Sequence, residues 1–142
     1  MSFFKRLFSK PIMENEELMK ELILNGKALR INEIILRKAL PFFEEQAKAL
    51  RPREFHPWLE DWFYSPRVLE FVYSRYTLED FDQLSKQRNA NYDFYVTDVM
   101  GETLIEQEKY PIEVNQFTAD QRTAFFVTAL IIKDLVGNSI PY

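Results

Sequence analysis

The chain of 142 residues contains no cysteine and only one histidine. Without cysteine it forms no disulfide, holds no thiolate-ligated zinc or iron–sulfur cluster and has no thiolate nucleophile. A single histidine, His56, is too few for a histidine-rich metal site, and no serine or cysteine motif accompanies it as a partner in base catalysis. We therefore expect a structural role for His56, and neither a metal nor another cofactor in this chain.

Glycine is also scarce, with three residues in the whole chain, whereas an average protein contains about 7% glycine. No glycine-rich loop remains to hold a phosphate, so the P-loop and dinucleotide-binding motifs are excluded. Each glycine stands where the pattern predicts an interruption: Gly26 and Gly137 at helix ends, and Gly101 in a turn.

Charge is unevenly distributed along the chain, although the net charge is only −4. Residues 54–113 contain thirteen acidic and five basic side chains, a balance of −8. This excess argues against nucleic-acid binding, which needs clustered lysine and arginine, and it suits a basic protein partner. The alternative is that these acids only form a solvated surface.

Residues 118–137 form the one long apolar segment. Thr118 and Gln121 have the spacing of a capping box at a helix start, and Gly137 is a typical helix end. The apolar side chains between them surround most of the helix: Ala124, Phe125, Phe126, Val127, Ala129, Leu130, Ile131 and Ile132. Such a helix is buried on most sides. A membrane span needs about 18 apolar residues, and this run is interrupted by Thr128 and closed by Lys133, so we predict a central core helix.

Helical spacing of apolar residues also precedes this segment, and it predicts helices over 13–25, 29–50, 66–76 and from residue 77 onward. Pro41 should divide the second of these into two helices or bend it. Pro52 and Pro57 should keep the start of 51–65 out of a helix.

The period changes near residue 92. Tyr92, Phe94 and Val96 alternate with Asp93, Tyr95 and Thr97. This period of two residues is typical of a strand. A turn at 100–102 and a second strand over 103–110 would complete a hairpin, and 112–114 could add a short third strand. The predicted fold is α+β: a predominantly helical single domain over 1–142, with a small antiparallel β-hairpin near the C-terminus packed on a buried C-terminal helix.

Both tryptophans lie in 51–65, four residues apart and therefore on one face of a helix. Such rings favour either core packing or a recognition surface, and acidic residues accompany them. A calcium loop is not indicated around residues 79–82, because its central glycine and terminal glutamate are missing. The predicted partner-binding residues are Trp58, Glu60, Asp61, Trp62, Tyr64, Glu79, Asp80 and Asp82.

Residues 1–10 form a short amphipathic segment, with Phe3, Phe4, Leu7 and Phe8 on one helical face and basic residues mostly on the other. The segment would either lie on an anionic membrane surface or dock its aromatic rings on the core. It lacks the continuous apolar region of a secretory signal, and Ser2 stands where N-myristoylation requires glycine.

These observations favour a non-enzymatic protein-binding module in the cytoplasm. Its most concrete form is a small acidic inhibitor or immunity protein that neutralises a basic partner such as a toxin or effector. The alternative is an enzyme or small-ligand binder that uses carboxylates and tyrosines in a cleft, and a peripheral membrane protein acting through the N-terminal segment is a third class. Converging carboxylates with raised pKa values would favour the cleft, whereas a flat or convex acidic surface would favour the binding module.

Overall fold

A computed structural model of the chain describes residues 15–29, 32–106 and 112–139. Seven α-helices occupy most of these ranges, and none of the described residues forms a β-strand. The helices are α1 (Asn15–Ala28), α2 (Glu33–Ala49), α3 (Pro52–Tyr64), α4 (Arg67–Arg75), α5 (Leu78–Lys86), α6 (Ala90–Glu106) and α7 (Ala119–Ser139). The described part of the fold is thus helical rather than α+β, and the predicted fold class was wrong.

Helix α7 is the core helix predicted from the apolar segment. The Gln121 N–H donates to Thr118 Oγ1 at 3.2 Å, and the Thr118 N–H donates to Gln121 Oε1 at 3.0 Å, which confirms the capping box. Most of its apolar side chains are buried, although Leu130 is only partly so. Helix α7 contacts each of the other six helices, so the buried apolar side chains of the described residues form one cluster around it.

Two glycines lie inside the last turn of a helix, where side chains approach the backbone closely, rather than just after its last residue. Gly137 lies inside α7, and a Cβ placed there would be 3.1 Å from the ring of Phe63. Gly26 lies inside α1, and a Cβ there would be 2.6 Å from Leu36 Cδ1. The prediction that they terminate helices was wrong, because their small size serves the packing between helices.

The predicted hairpin is replaced by α6. Asn89 caps this helix, since its Oδ1 accepts a hydrogen bond from the Tyr92 N–H at 2.9 Å. Tyr92, Tyr95 and Val99 are buried whereas Phe94 is exposed, a spacing of three and four residues that belongs to a helix. The alternation over 92–97 was too short to exclude this second pattern.

The remaining predicted strands are also absent from the described residues. Residues 103–106 continue α6, residues 107–110 lie outside the described ranges, and Ile112–Gln116 forms a 3₁₀-helix where a third strand was predicted. Because no strand pairs with another, nothing in the described chain presents an open sheet edge.

Prolines disturb the helices less than the sequence suggests. Pro41 lies inside the continuous helix α2. Pro52 opens α3, where its missing N–H has no role in the helix. Pro57 lies inside α3 and removes the hydrogen bond to the Arg53 carbonyl, but both residues are exposed, so water can serve that carbonyl. The predicted non-helical start of 51–65 was therefore wrong.

Residues 1–10, the predicted amphipathic segment, lie outside the described residues. Within the described ranges, no helix combines the length and the hydropathy that crossing a membrane would require.

Candidate interaction surfaces

The two tryptophans of α3 occupy different environments. Trp62 is 1% exposed, and its ring meets that of Phe43 edge-on, with the centroids 5.3 Å apart. Trp58 is half-buried and stacks on Trp62 at 6.3 Å, at the margin of the core. Core packing therefore explains Trp62, while Trp58 still offers part of its ring to solvent.

The other predicted residues of α3 face outward. Asp61 and Tyr64 are exposed, and Glu60 is half-buried. Asp61 Oδ2 lies 3.4 Å from Arg67 Nη1. Since this ion pair is well exposed, it stabilises the fold little, but it offsets the negative charge that Asp61 would present to a partner.

Asp80 is buried and joins two helices. Its carboxylate contacts the Lys38 ammonium of α2 and accepts a hydrogen bond from the Thr77 N–H at 2.8 Å. Burial raises the pKa of the Asp80 carboxyl, but the hydrogen bonds from Lys38 and Thr77 outweigh burial and hold the pKa below its ordinary value. The neighbouring Glu79 and Asp82 remain more accessible, so of these three acids Asp80 is the one fixed within the fold.

The predicted residues do not form one cluster. Phe81 of α5 packs on Phe125, near the start of α7, with ring centroids 5.7 Å apart. Phe63 of α3 packs against Gly137, near the end of α7. Twelve residues of helix separate these two contacts, a distance of about 18 Å. The structure therefore divides the predicted set between an α3 surface and an α5 surface.

Charge follows the same division. Residues 51–75, which include α3 and α4, contain four acidic and four basic side chains. Residues 78–106, which include α5 and α6, contain seven acidic and two basic side chains, a balance of −5. The two tryptophans and the acidic excess were predicted as one feature, but they belong to different helices.

Among the described side chains of residues 78–106, the most exposed large apolar ones lie on α6. Phe94 is 61% and Met100 75% exposed. We define the α6 outer face by its exposed residues Asp93, Phe94, Thr97, Asp98, Met100 and Gly101. Sequence reasoning missed this face because a strand would have placed Phe94 beside the buried Tyr92. The helical spacing of Tyr92, Tyr95 and Val99 was the signal that could have revealed it.

The chain matches no protein-family model, no curated protein and no solved structure.

Two of the tyrosines that could have served a catalytic cleft, Tyr76 and Tyr95, have structural partners. The Tyr76 hydroxyl donates to the Ile35 carbonyl at 2.8 Å, and the Tyr95 hydroxyl bonds to the Asp134 carboxylate. Burial raises the pKa of both tyrosines. Among the described residues, no group of three or more histidine or acidic side chains could hold a metal ion. These arrangements give the cleft hypothesis no specific support.

A groove with an aromatic floor lies among α2, α3 and α4, and its volume is about 390 Å³. Trp58 and Trp62 contribute to this floor, while Arg67 and Arg75 of α4 line its sides. This groove and the α6 outer face are the two candidate interaction surfaces, and they differ in charge.

Proposed function

We propose that the protein is a non-enzymatic binding module and that its α6 outer face contacts a basic protein partner. The observation that carries this proposal is the exposure of Phe94, one helical turn from Asp98, and of Met100, on a helix whose opposite side packs on α7. Single exposed apolar residues are common. Two large ones on the exposed side of an acidic helix have the composition of an interface, in which apolar anchors supply affinity and charges supply orientation.

The charge of α5 and α6 supports a basic partner. Arg88 neutralises Asp93, with Nη2 2.7 Å from Oδ1. No ion pair in the described part of the chain involves Glu79, Asp82 or Asp98. These outward acids would steer a basic protein toward the surface, most strongly at low salt. Within this class, an inhibitor or immunity protein that neutralises a basic toxin or effector in the cytoplasm fits the small size and acidic charge.

Affinity capture with matched variants tests the proposal. Wild-type protein and the Phe94→Ser variant would be immobilised and exposed to an extract of the native host, and bound proteins would be quantified by mass spectrometry. Leu24→Ser is the matched control, because Leu24 is a comparably exposed apolar residue, at 57%, on α1. We expect a basic protein that both wild type and the control retain and that Phe94→Ser loses.

Surface plasmon resonance with the purified partner then separates charge from apolar contact. Asp98→Lys and added salt should slow association, whereas Phe94→Ser should mainly speed dissociation. An acidic partner, or one that binds wild type and Phe94→Ser equally well, would contradict the proposal.

A further inference from the structure

The floor of the groove among α2, α3 and α4 is made of four aromatic rings. Phe42 and Phe71 lie 4.4 Å apart between centroids, and Trp62 lies 5.8 Å from Phe71. Trp62 and Phe71 are almost fully buried, whereas Phe42 and Trp58 are only half-buried. The groove therefore presents ring surface to solvent on a rigid base, since each of these rings is packed against others.

Two arginines of α4 stand over this floor. The Arg67 guanidinium lies 5.8 Å from the centroid of the Trp58 ring, and the Arg75 guanidinium lies 5.2 Å from that of Phe42. A guanidinium held over a ring still has its N–H edge available to a carboxylate. Arg67 meets Asp61 at a long 3.4 Å, and no ion pair in the described ranges involves Arg75.

The spacing of the arginines limits what would bind. They are eight residues apart on α4, about 12 Å along the helix, and Phe71 lies midway on the same side. In an extended peptide, residues i, i+2 and i+4 point to one side and span about 13 Å. An acid, an aromatic residue and a second acid at these positions would meet the two arginines and the rings between them.

We propose that this groove is a second binding site, which takes an extended peptide segment of a partner protein with an aromatic side chain flanked by acidic side chains. The aromatic side chain would lie on Phe42 and Trp58, and each carboxylate would accept paired hydrogen bonds from one guanidinium. This site uses other helices than the α6 outer face and prefers the opposite charge, so it is independent of the proposed function.

Single-stranded nucleic acid also stacks on aromatic rings and contacts arginine. Glu70 argues against it here, because this residue lies between Arg67 and Arg75 in the lining of the groove and would repel a continuous phosphate chain. A peptide carries its charges at separate positions, which matches two arginines better than a backbone charged at every nucleotide.

Peptide selection tests the proposal without a known ligand. A displayed library of random heptapeptides would be selected on the full-length wild-type protein and counter-selected on Arg75→Gln. We expect enrichment of peptides with acids four residues apart and Phe or Tyr between them. Enrichment of basic peptides, of peptides that also bind Arg75→Gln, or of none at all would overturn the proposal.

Affinity is then measured with an enriched peptide that lacks tryptophan. Because the only two tryptophans of the chain line the groove, their fluorescence reports occupancy directly. Arg67→Gln and Arg75→Gln should each weaken binding at least tenfold, while Lys48→Gln, an exposed charge outside the groove, should leave it unchanged. Circular dichroism would confirm that each variant is folded. Stronger, Arg75-dependent binding of oligothymidylate would replace the peptide by nucleic acid and overturn the proposal.

Discussion

Replacing Asp80 by asparagine should lower the free energy of unfolding by about 2 kcal/mol at pH 7. Asparagine keeps an oxygen that can accept from the Thr77 N–H, so the change mainly removes the charge facing Lys38. With side-chain exposures of 27% for Lys38 and 11% for Asp80, this ion pair is intermediate between an exposed and a fully buried pair. Exposed pairs contribute about 0.2–1 kcal/mol, whereas breaking a buried pair costs about 3–5 kcal/mol.

The pH dependence of this loss identifies its cause. Because the pKa of Asp80 is lowered in the folded state, its stabilisation is complete above the unfolded-state pKa of about 3.9. That stabilisation is lost as the pH falls through the lower, folded-state pKa. Asparagine does not titrate. The difference in unfolding free energy between wild type and Asp80→Asn should therefore be full at pH 7 and should shrink below about pH 4.

Urea denaturation over this pH range provides the measurement, since urea is uncharged and does not screen the ion pair. Glu79→Gln is the matched control on the adjacent, exposed position, and it should change stability by less than about 0.5 kcal/mol. Lys38→Met completes a double-mutant cycle that isolates the pair. A loss below about 0.5 kcal/mol for Asp80→Asn, or a loss equal at pH 3 and pH 7, would refute the reasoning.

Three further predictions concern the core and α6. Leu135→Ala should lower the free energy of unfolding by about 2–5 kcal/mol because Leu135 is fully buried. Leu130→Ala, at a partly buried position, should lower it less. Equal losses in chemical denaturation would contradict this prediction. Gly101→Ala should increase the free energy of unfolding by about 0.5–1 kcal/mol and thereby raise the thermal midpoint, because alanine favours a helix and nothing lies within 4 Å of the added Cβ. A lower midpoint would disprove this prediction. Tyr76→Phe should cost about 1 kcal/mol through its lost hydrogen bond to the Ile35 carbonyl, and unchanged unfolding in urea would show that this bond contributes nothing.

The sequence predicted α7 well because its signals are local. The capping box of Thr118 and Gln121 needs only three residues, and apolar side chains around the whole helix indicate burial whatever the partner. The segment from Tyr92 was interpreted wrongly because the two-residue period of a strand and the 3.6-residue period of a helix each fit a few of its residues. What decides between them is the packing of α6 on α7, where the Tyr95 hydroxyl bonds to Asp134, a contact between distant parts of the chain.

The candidate surfaces were harder to predict for a related reason. The neighbouring Trp58 and Trp62 were correctly placed on one side of a helix, but how far each is buried depends on α2 and α4. Asp80 resembled Glu79 and Asp82 in the sequence, yet its ion pair is with a lysine 42 positions earlier. Charge counted along the chain therefore located an acidic region without showing which acids face solvent.

Helix α7 has a consequence for the synthesis of the protein, because it follows in the chain all six helices that it contacts. Translation adds about 5–20 residues per second, so α1 exists for on the order of ten seconds before α7 is made. Asn25 of α1 finally donates a hydrogen bond to Ser139, 114 positions later. During that interval the apolar faces of α1–α6 lack the helix that covers them. Among the described helices, α7 therefore completes the core last.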